Sequence, residues 1–185
     1  ELKFYEEWKQ KRLNWHLALG LGQENYRFHD HEKLAHYANA AADIEFKFPF
    51  GFKELEGIHS RTDFDLGAHE KYSGRKLQYF DPERNETYVP YVVETSIGLD
   101  RMFLALFSHC LKNEVLEDGS ERVVLALPPA LAPVKAAILP LVKKDGLPEL
   151  AEKIFNDLKY DFNIISEEKD SIGKRYRRQD AIGTP

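Results

Sequence analysis

The segment that most limits what this chain can fold into runs from Tyr88 to Leu111. Tyr88 to Ser96 is rich in Val and Tyr and reads as a strand. Ile97-Gly98-Leu99-Asp100-Arg101 turns it directly into a helix with Met102, Phe103, Leu104, Leu106 and Phe107 on nearly all sides. A helix that is apolar all round has no face to give to water, so it is expected in the middle of a domain. At the junction, Gly98 allows close approach of a ligand and Arg101 opens the helix. Glu94 and Ser96 share one face of the strand leading there. That layout suits an ammonium group at Glu94 and a phosphate at Arg101, whose guanidinium fork brings geometry as well as charge. A structural pair between Arg101 and a nearby carboxylate accounts for the same residues equally well.

Upstream, Phe4, Trp8, Trp15 and Leu19 recur at near-helical spacing among charged residues, predicting an amphipathic helix over 3–19 that Gly20-Leu21-Gly22 ends. Asp30 is placed to cap a second helix carrying Leu34, Tyr37, Ala38 and Ala41. Ile44, Phe46 and Phe48 alternate with Glu45 and Lys47, a strand pattern. Pro49-Phe50-Gly51 reads as a turn and Lys53–His59 as the returning strand, followed by a polar, exposed connection over 60–87. The charged stretch Lys112–Glu121, with Gly119, marks a domain boundary. Beyond it the pattern predicts a strand (122–127), helices (133–144 and 148–158), a strand (161–165) and a helix (171–181). Pro133 and Pro148 stand where helices begin. Such alternation points to an α/β domain with a mainly parallel sheet that lacks its final strand.

With 43% hydrophobic and 31% charged residues, the 185-residue chain has the composition of a folded protein. Its net charge of -5 means that any nucleic-acid site must be a local basic patch. The single cysteine, Cys110, excludes an internal disulfide or a multi-cysteine zinc site and fits a reducing compartment. No apolar stretch is long enough to span a bilayer, so a membrane is not expected as a partner. The chain opens at Glu1 without Met, which suggests a piece of a longer protein.

Three further clusters carry candidate chemistry. Glu54 and Glu56 point to the same face of an ideal strand, where two carboxylates suit Mg²⁺ arriving with a nucleotide's phosphates; two solvated glutamates fit the spacing as well. His29-Asp30-His31, with His36, invites zinc, but no cysteine or carboxylate cluster supports it, and capping or packing roles fit better. Gly173-Lys174-Arg175-Tyr176-Arg177-Arg178-Gln179 puts four cations and a tyrosine on little more than one helical turn. It can meet phosphates and stack on a base, or form a solvated face paired with Glu167, Glu168 or Asp180.

Taken in order, Arg27-Phe28-His29, Leu34-Ala35-His36-Tyr37-Ala38, Asp43-Ile44-Glu45-Phe46, Glu54-Leu55-Glu56-Gly57-Ile58 with Arg61-Thr62-Asp63-Phe64-Asp65-Leu66, Glu94-Thr95-Ser96-Ile97-Gly98-Leu99-Asp100-Arg101 and Gly173 to Asp180 resemble the glycyl-tRNA synthetases of the dimeric class II type. The resemblance implies an α+β class II catalytic domain with a mixed or antiparallel sheet, its C-terminal part over residues 1–118, followed by an α/β anticodon-binding domain over 119–185. It implies ATP and Mg²⁺ as cofactors, and glycine and its tRNA as partners. It also implies a homodimer in the full-length parent and a cytoplasmic location.

Residue by residue, Gly98-Leu99-Asp100-Arg101 is similar to the third class II signature, which gives Arg101 the ATP γ-phosphate. Glu54 and Leu55 fall where the family contacts ATP, with Glu54 as the Mg²⁺-linked carboxylate. Glu94, Thr95, Ser96, Ile97 and Gly98 fall where it reads glycine. Lys174, Arg175, Arg177 and Arg178 become candidate tRNA contacts. Thr95 stands where proline is usual and His59 where a small residue is usual. The first two class II signatures are absent from these 185 residues, so the chain alone is expected to be inactive. Competing readings are another class IIa synthetase (threonyl, prolyl or histidyl) and a non-catalytic synthetase-like accessory protein. Glu-Leu-Glu-Gly-Ile and the Glu-x-Ser before Gly98 weigh against the first, and the presence of Glu54, Glu94, Ser96 and Arg101 against the second.

Overall fold

Tyr26 and Phe28 alternate with Arg27 and His29. In the computed structural model, which describes residues 1–185, they form a strand rather than leading to a helix. This strand, β1 (Tyr26–Asp30), pairs antiparallel with β2 (Ala40–Phe48). The helix expected to start at Asp30 is absent. Residues 31–39 form turns instead: the His31 N–H donates to the Ala41 carbonyl at 3.0 Å, and that of Asn39 to Ser60 at 3.0 Å. The alanines that favour a helix locally, Ala40–Ala42, are spent in the sheet, where Ala41 and Ala42 are buried. Tertiary burial overrides a propensity worth only tenths of a kcal/mol per residue, about 0 to 0.7.

β2 returns through Pro49-Phe50 into β3 (Gly51–Ser60), and β6 (Val93–Ile97) completes an antiparallel sheet of order β1-β2-β3-β6. Tyr26, Ala42, Ile44, Phe46, Phe48 and Ile58 are its buried apolar residues on one face. Each large one contributes roughly 1.5–3 kcal/mol by leaving water. The first helix, α1 (Leu2–Leu17), lies on that face. Its docking side is Tyr5, Lys9, Arg12 and His16, spaced at helical period, while Phe4 and Trp15 are about half exposed. The aromatic stripe read from the sequence is therefore not the docking stripe. The sheet offers carboxylates to this helix: Glu56 takes Arg12 and His16, and Asp30 takes Lys9.

The connection over 60–87 is exposed, as expected, but structured. It holds helix α2 (Phe64–Ser73) and a two-stranded hairpin of β4 (Tyr79–Asp81) and β5 (Glu86–Tyr88). Helix α3 (Leu99–Cys110) departs from the all-round burial expected of it. Met102, Ala105 and Cys110 are buried, but Leu99 is 82% and Phe103 66% exposed. The helix is two-faced, and its apolar surface exceeds what this chain covers.

The chain divides into two compact units, Glu1–Ala105 and Leu106–Pro185, a division that falls inside α3. In the second unit, the charged stretch expected to mark a domain boundary is part of an antiparallel hairpin, β7 (Leu111–Val115) with β8 (Glu121–Leu125). The helix expected over 133–144 is absent; β9 (Ala136–Ile138) stands there, bracketed by Pro133 and Pro140. Helix α4 (Leu147–Leu158), with proline in its first turn, leads to β10 (Ile164–Ser166), which pairs parallel with β9. Helix α5 (Ile172–Ile182) ends on Gly183 in the left-handed conformation. Parallel pairing is thus confined to one pair of strands, and the unit mixes the two orientations.

Candidate active site

The register of the four-stranded sheet decides which side chains share the face opposite α1. Its rows are His29–Asp43–Gly57–Ser96, Ala41–His59–Glu94, Arg27–Glu45–Glu54 and Lys47–Phe52. Every position but Ala41, Phe52 and Gly57 is polar or charged. Glu94 and Ser96 therefore share a face, as strand alternation predicts, while Thr95 and Ile97 lie on the other. Thr95 stands opposite the buried Ile58.

Glu54 and Glu56 do not share a face. The register slips between Ile44 and Glu45, so that Glu56 pairs with Ile44 but Glu54 with Glu45. This bulge adds one residue to β3 and reverses the alternation. Glu56 turns to α1, fully buried, and accepts two bonds from Arg12 (2.5 and 2.9 Å) and one shared with His16 (2.8 Å). Burial alone would raise its pKa, but the His16 and Arg12 hydrogen bonds and charges prevail and hold the carboxyl below the usual range. Glu54 stays half exposed on the open face. Leu55, at the bulge, is 1% exposed, so its side chain is core.

Arg101, in the first turn of α3, donates from Nη1 to the Glu54 carbonyl at 2.8 Å and lies 3.3 Å from the Glu54 carboxylate. Both side chains are more than half exposed, and such a pair is worth only about 0–1 kcal/mol, so either partner exchanges readily for a ligand. Gly98, just before this helix, has no positive φ, and an added Cβ would meet the Arg101 side chain at an ordinary 3.6 Å. Nothing inside the chain requires glycine there.

Glu94 has a partner that the sequence reading assigned no role. Arg61 Nη1 lies 3.2 Å from Glu94 Oε2, and the same guanidinium grips Asp65 in two bonds of 2.5 and 2.9 Å and sits 4.0 Å above the Tyr37 ring. The hydrogen bond to Asp65, with the Glu94 charge, raises the Arg61 pKa, and that bond lowers the Asp65 pKa. The Arg61–Asp65 spacing of four residues was the available signal. Thr62, beside Arg61, has a φ of 55°, a strained choice for a β-branched residue. Its carbonyl accepts from Val92 at 2.9 Å, and Arg61 N–H donates to Val92 at 2.8 Å, tying this corner to the strand that carries Glu94.

His31 shares a 2.9 Å bond with Asp43, and Arg27 one of 2.5 Å with Glu45. Among the described residues no group of three or more His, Cys, Asp or Glu is arranged to hold a metal ion. Glu54 alone fits the weaker requirement of Mg²⁺, which takes one or two carboxylates and completes its shell with substrate phosphates.

In the second unit, Arg175 is not a surface cation. It is 3% exposed and donates to the carbonyls of Pro140 and Glu167 at 2.7 and 3.1 Å. Arg178 pairs with Glu167 and Asp170. Of the basic helix, Lys174, Tyr176 and Arg177 face solvent. No helix is long and apolar enough to cross a membrane.

No family model matches the chain. Curated relatives match it from end to end: glycine–tRNA ligase of Chlorobaculum tepidum is 53% identical over the whole chain, that of Borrelia hermsii 52% over 98% of it, and that of Geobacillus thermodenitrificans 51% over all of it. The chain spans only 39%, 42% and 40% of those proteins. Among solved structures, prolyl-tRNA synthetase of Giardia lamblia in complex with prolyl-adenylate aligns with 97% of the chain and 37% of its own length, at a TM-score of 0.52 and 16% identity. That likeness extends to the fold alone, and it is the fold of a class II synthetase. Throughout its length, this chain is a homologue of the glycine–tRNA ligases.

Proposed function

We propose that this chain supplies the ATP- and glycine-binding end of a synthetase that joins glycine to its tRNA through a glycyl-adenylate. The observation that carries the reading is the sheet register, which gathers Glu54, Glu94 and Ser96 on one face with Arg101 hydrogen-bonded to the Glu54 backbone. Glu94, steadied by Arg61, takes the α-ammonium of glycine. Ser96 lies two residues along the same strand face and crowds the α-carbon, so that larger amino acids clash. Arg101 leaves Glu54 for the γ-phosphate, and Gly98 lets the nucleotide approach the backbone. Glu54 would hold Mg²⁺ brought in with ATP, and the ion would offset the charge of the phosphates.

The glycine carboxylate attacks the α-phosphate, pyrophosphate leaves, and the 3′-terminal ribose of the tRNA afterwards takes the glycyl group. The chain's contribution is positioning and charge neutralisation, without a covalent protein nucleophile. Within the second unit, read as an anticodon-binding domain, Lys174, Tyr176 and Arg177 form the tRNA-facing patch. The whole protein is a cytoplasmic homodimer in this reading, and these 185 residues alone are inactive. The test is ATP–pyrophosphate exchange by a full-length protein containing this chain, across a panel of amino acids. Exchange with glycine alone supports the reading; exchange with a different amino acid, or with none, refutes it.

A further inference from the structure

On the open face, His59 stands beside Glu94 in the same register row, and its Nδ1 is buried yet makes no hydrogen bond within the protein. It lies 4.0 Å from Glu94 Oε1, too far for a direct bond. The ring is held firmly: its edge meets His31 at 6.0 Å between centroids and Tyr37 at 6.5 Å. Gly57 makes room for it, since a Cβ there would come within 3.1 Å of His59 Cε1. A fixed, buried nitrogen without a partner is costly, and such groups occur where a ligand or bridging group satisfies them.

The spacing says which ligand. Two acceptors about 4 to 4.6 Å apart are bridged by one tetrahedral ammonium making hydrogen bonds of about 2.8 Å to each. We infer that His59, as the Nε2–H tautomer, is a second acceptor for the substrate's α-ammonium, which sits between His59 Nδ1 and Glu94 Oε1. Arg61 Nη1 straddles the same carboxylate, 3.2 Å from Oε2 and 3.4 Å from Oε1, and so fixes its orientation, while Oε1 has a further lone pair for the ammonium. Glu94 supplies the charge; His59 supplies the direction, selecting a primary ammonium that can point separate N–H bonds at both groups. This rests on the glycine-binding reading of Glu94.

The experiment uses the full-length protein with His59→Ala and His59→Gln, read by pyrophosphate exchange and by inhibition with glycinamide, which keeps the ammonium and lacks the carboxylate. His59→Ala should raise the glycine KM roughly ten-fold or more, the worth of one hydrogen bond to a charged group, and weaken glycinamide by the same factor. The kcat and the ATP KM should hold, and His59→Gln should recover part of the loss. An unchanged glycine KM overturns the inference, as does a matching rise in the ATP KM or a glycinamide affinity that does not move with glycine. A wild-type protein that activates no glycine fails in a different way and removes the synthetase reading itself.

Discussion

Replacing Glu56 with alanine should unfold the first unit more readily than any other single change on the sheet. The carboxylate is fully buried, as is His16, and Arg12 keeps only 20% of its side chain in water. Removing the shared partner leaves two polar groups with three lost contacts in a site closed to solvent. Breaking a buried pair in this way costs about 3–5 kcal/mol, set against a total stability of about 5–15 kcal/mol. Glu56→Gln keeps an acceptor and a donor and should cost less, about 1–3 kcal/mol.

The pH dependence has a definite sign. The folded state lowers the Glu56 pKa, so its contribution is full above the unfolded value of about 4.3 and is lost as pH falls through the lower folded value. Urea denaturation of the chain from neutral to acid pH reads both effects. Glu56→Gln should flatten the acid limb. A loss below about 1 kcal/mol for Glu56→Ala, the size of an exposed ion pair, would refute the claim that this cluster fastens α1 to the sheet.

Other residues yield separate tests. Gly98→Ala should leave stability within about 1 kcal/mol, because the added methyl meets only an ordinary contact, yet raise the ATP KM of the full-length protein; a large stability loss would assign Gly98 a purely structural role. Gly183→Ala should destabilise the second unit by at least about 1 kcal/mol. The residue has a φ of 82°, and a Cβ there would press on Leu127 and on the Leu125 carbonyl. A melting temperature that does not fall would contradict this. Thr62→Gly relieves a strained φ and should raise stability by up to about 1 kcal/mol, measured by the same denaturation; a clear drop would show that the threonine side chain holds the corner.

The parts of the fold legible in the sequence were those with strong local grammar. Alternation marked β2, proline in the first turn marked α4, and a helix expected over 171–181 matches α5. The errors lie where long-range contacts decide. Residues 31–39 are helix-like in composition, but β1 must reach β2. Ala136–Ile138 has too few apolar residues to separate a strand from a helix by period, and its parallel partner β10 is far along the chain.

At the site, Glu94 and Ser96 needed only the two-residue repeat of a strand. Glu54 and Glu56 were misjudged because the bulge at Leu55 depends on how β2 and β3 pair, which the local sequence does not display. Arg61 escaped notice as a partner of Glu94 because 33 residues separate them. The inward turn of Arg175 was equally hidden, since it depends on carbonyls at Pro140 and Glu167.

Glu94 on the open sheet face is proposed to recognise glycine. Glycine-dependent ATP–pyrophosphate exchange by the full-length protein, wild type beside Glu94→Ala, tests it directly. Exchange with glycine is expected in the wild type and should collapse in the variant, with folding intact. Exchange that survives Glu94→Ala with an unchanged glycine KM would contradict it.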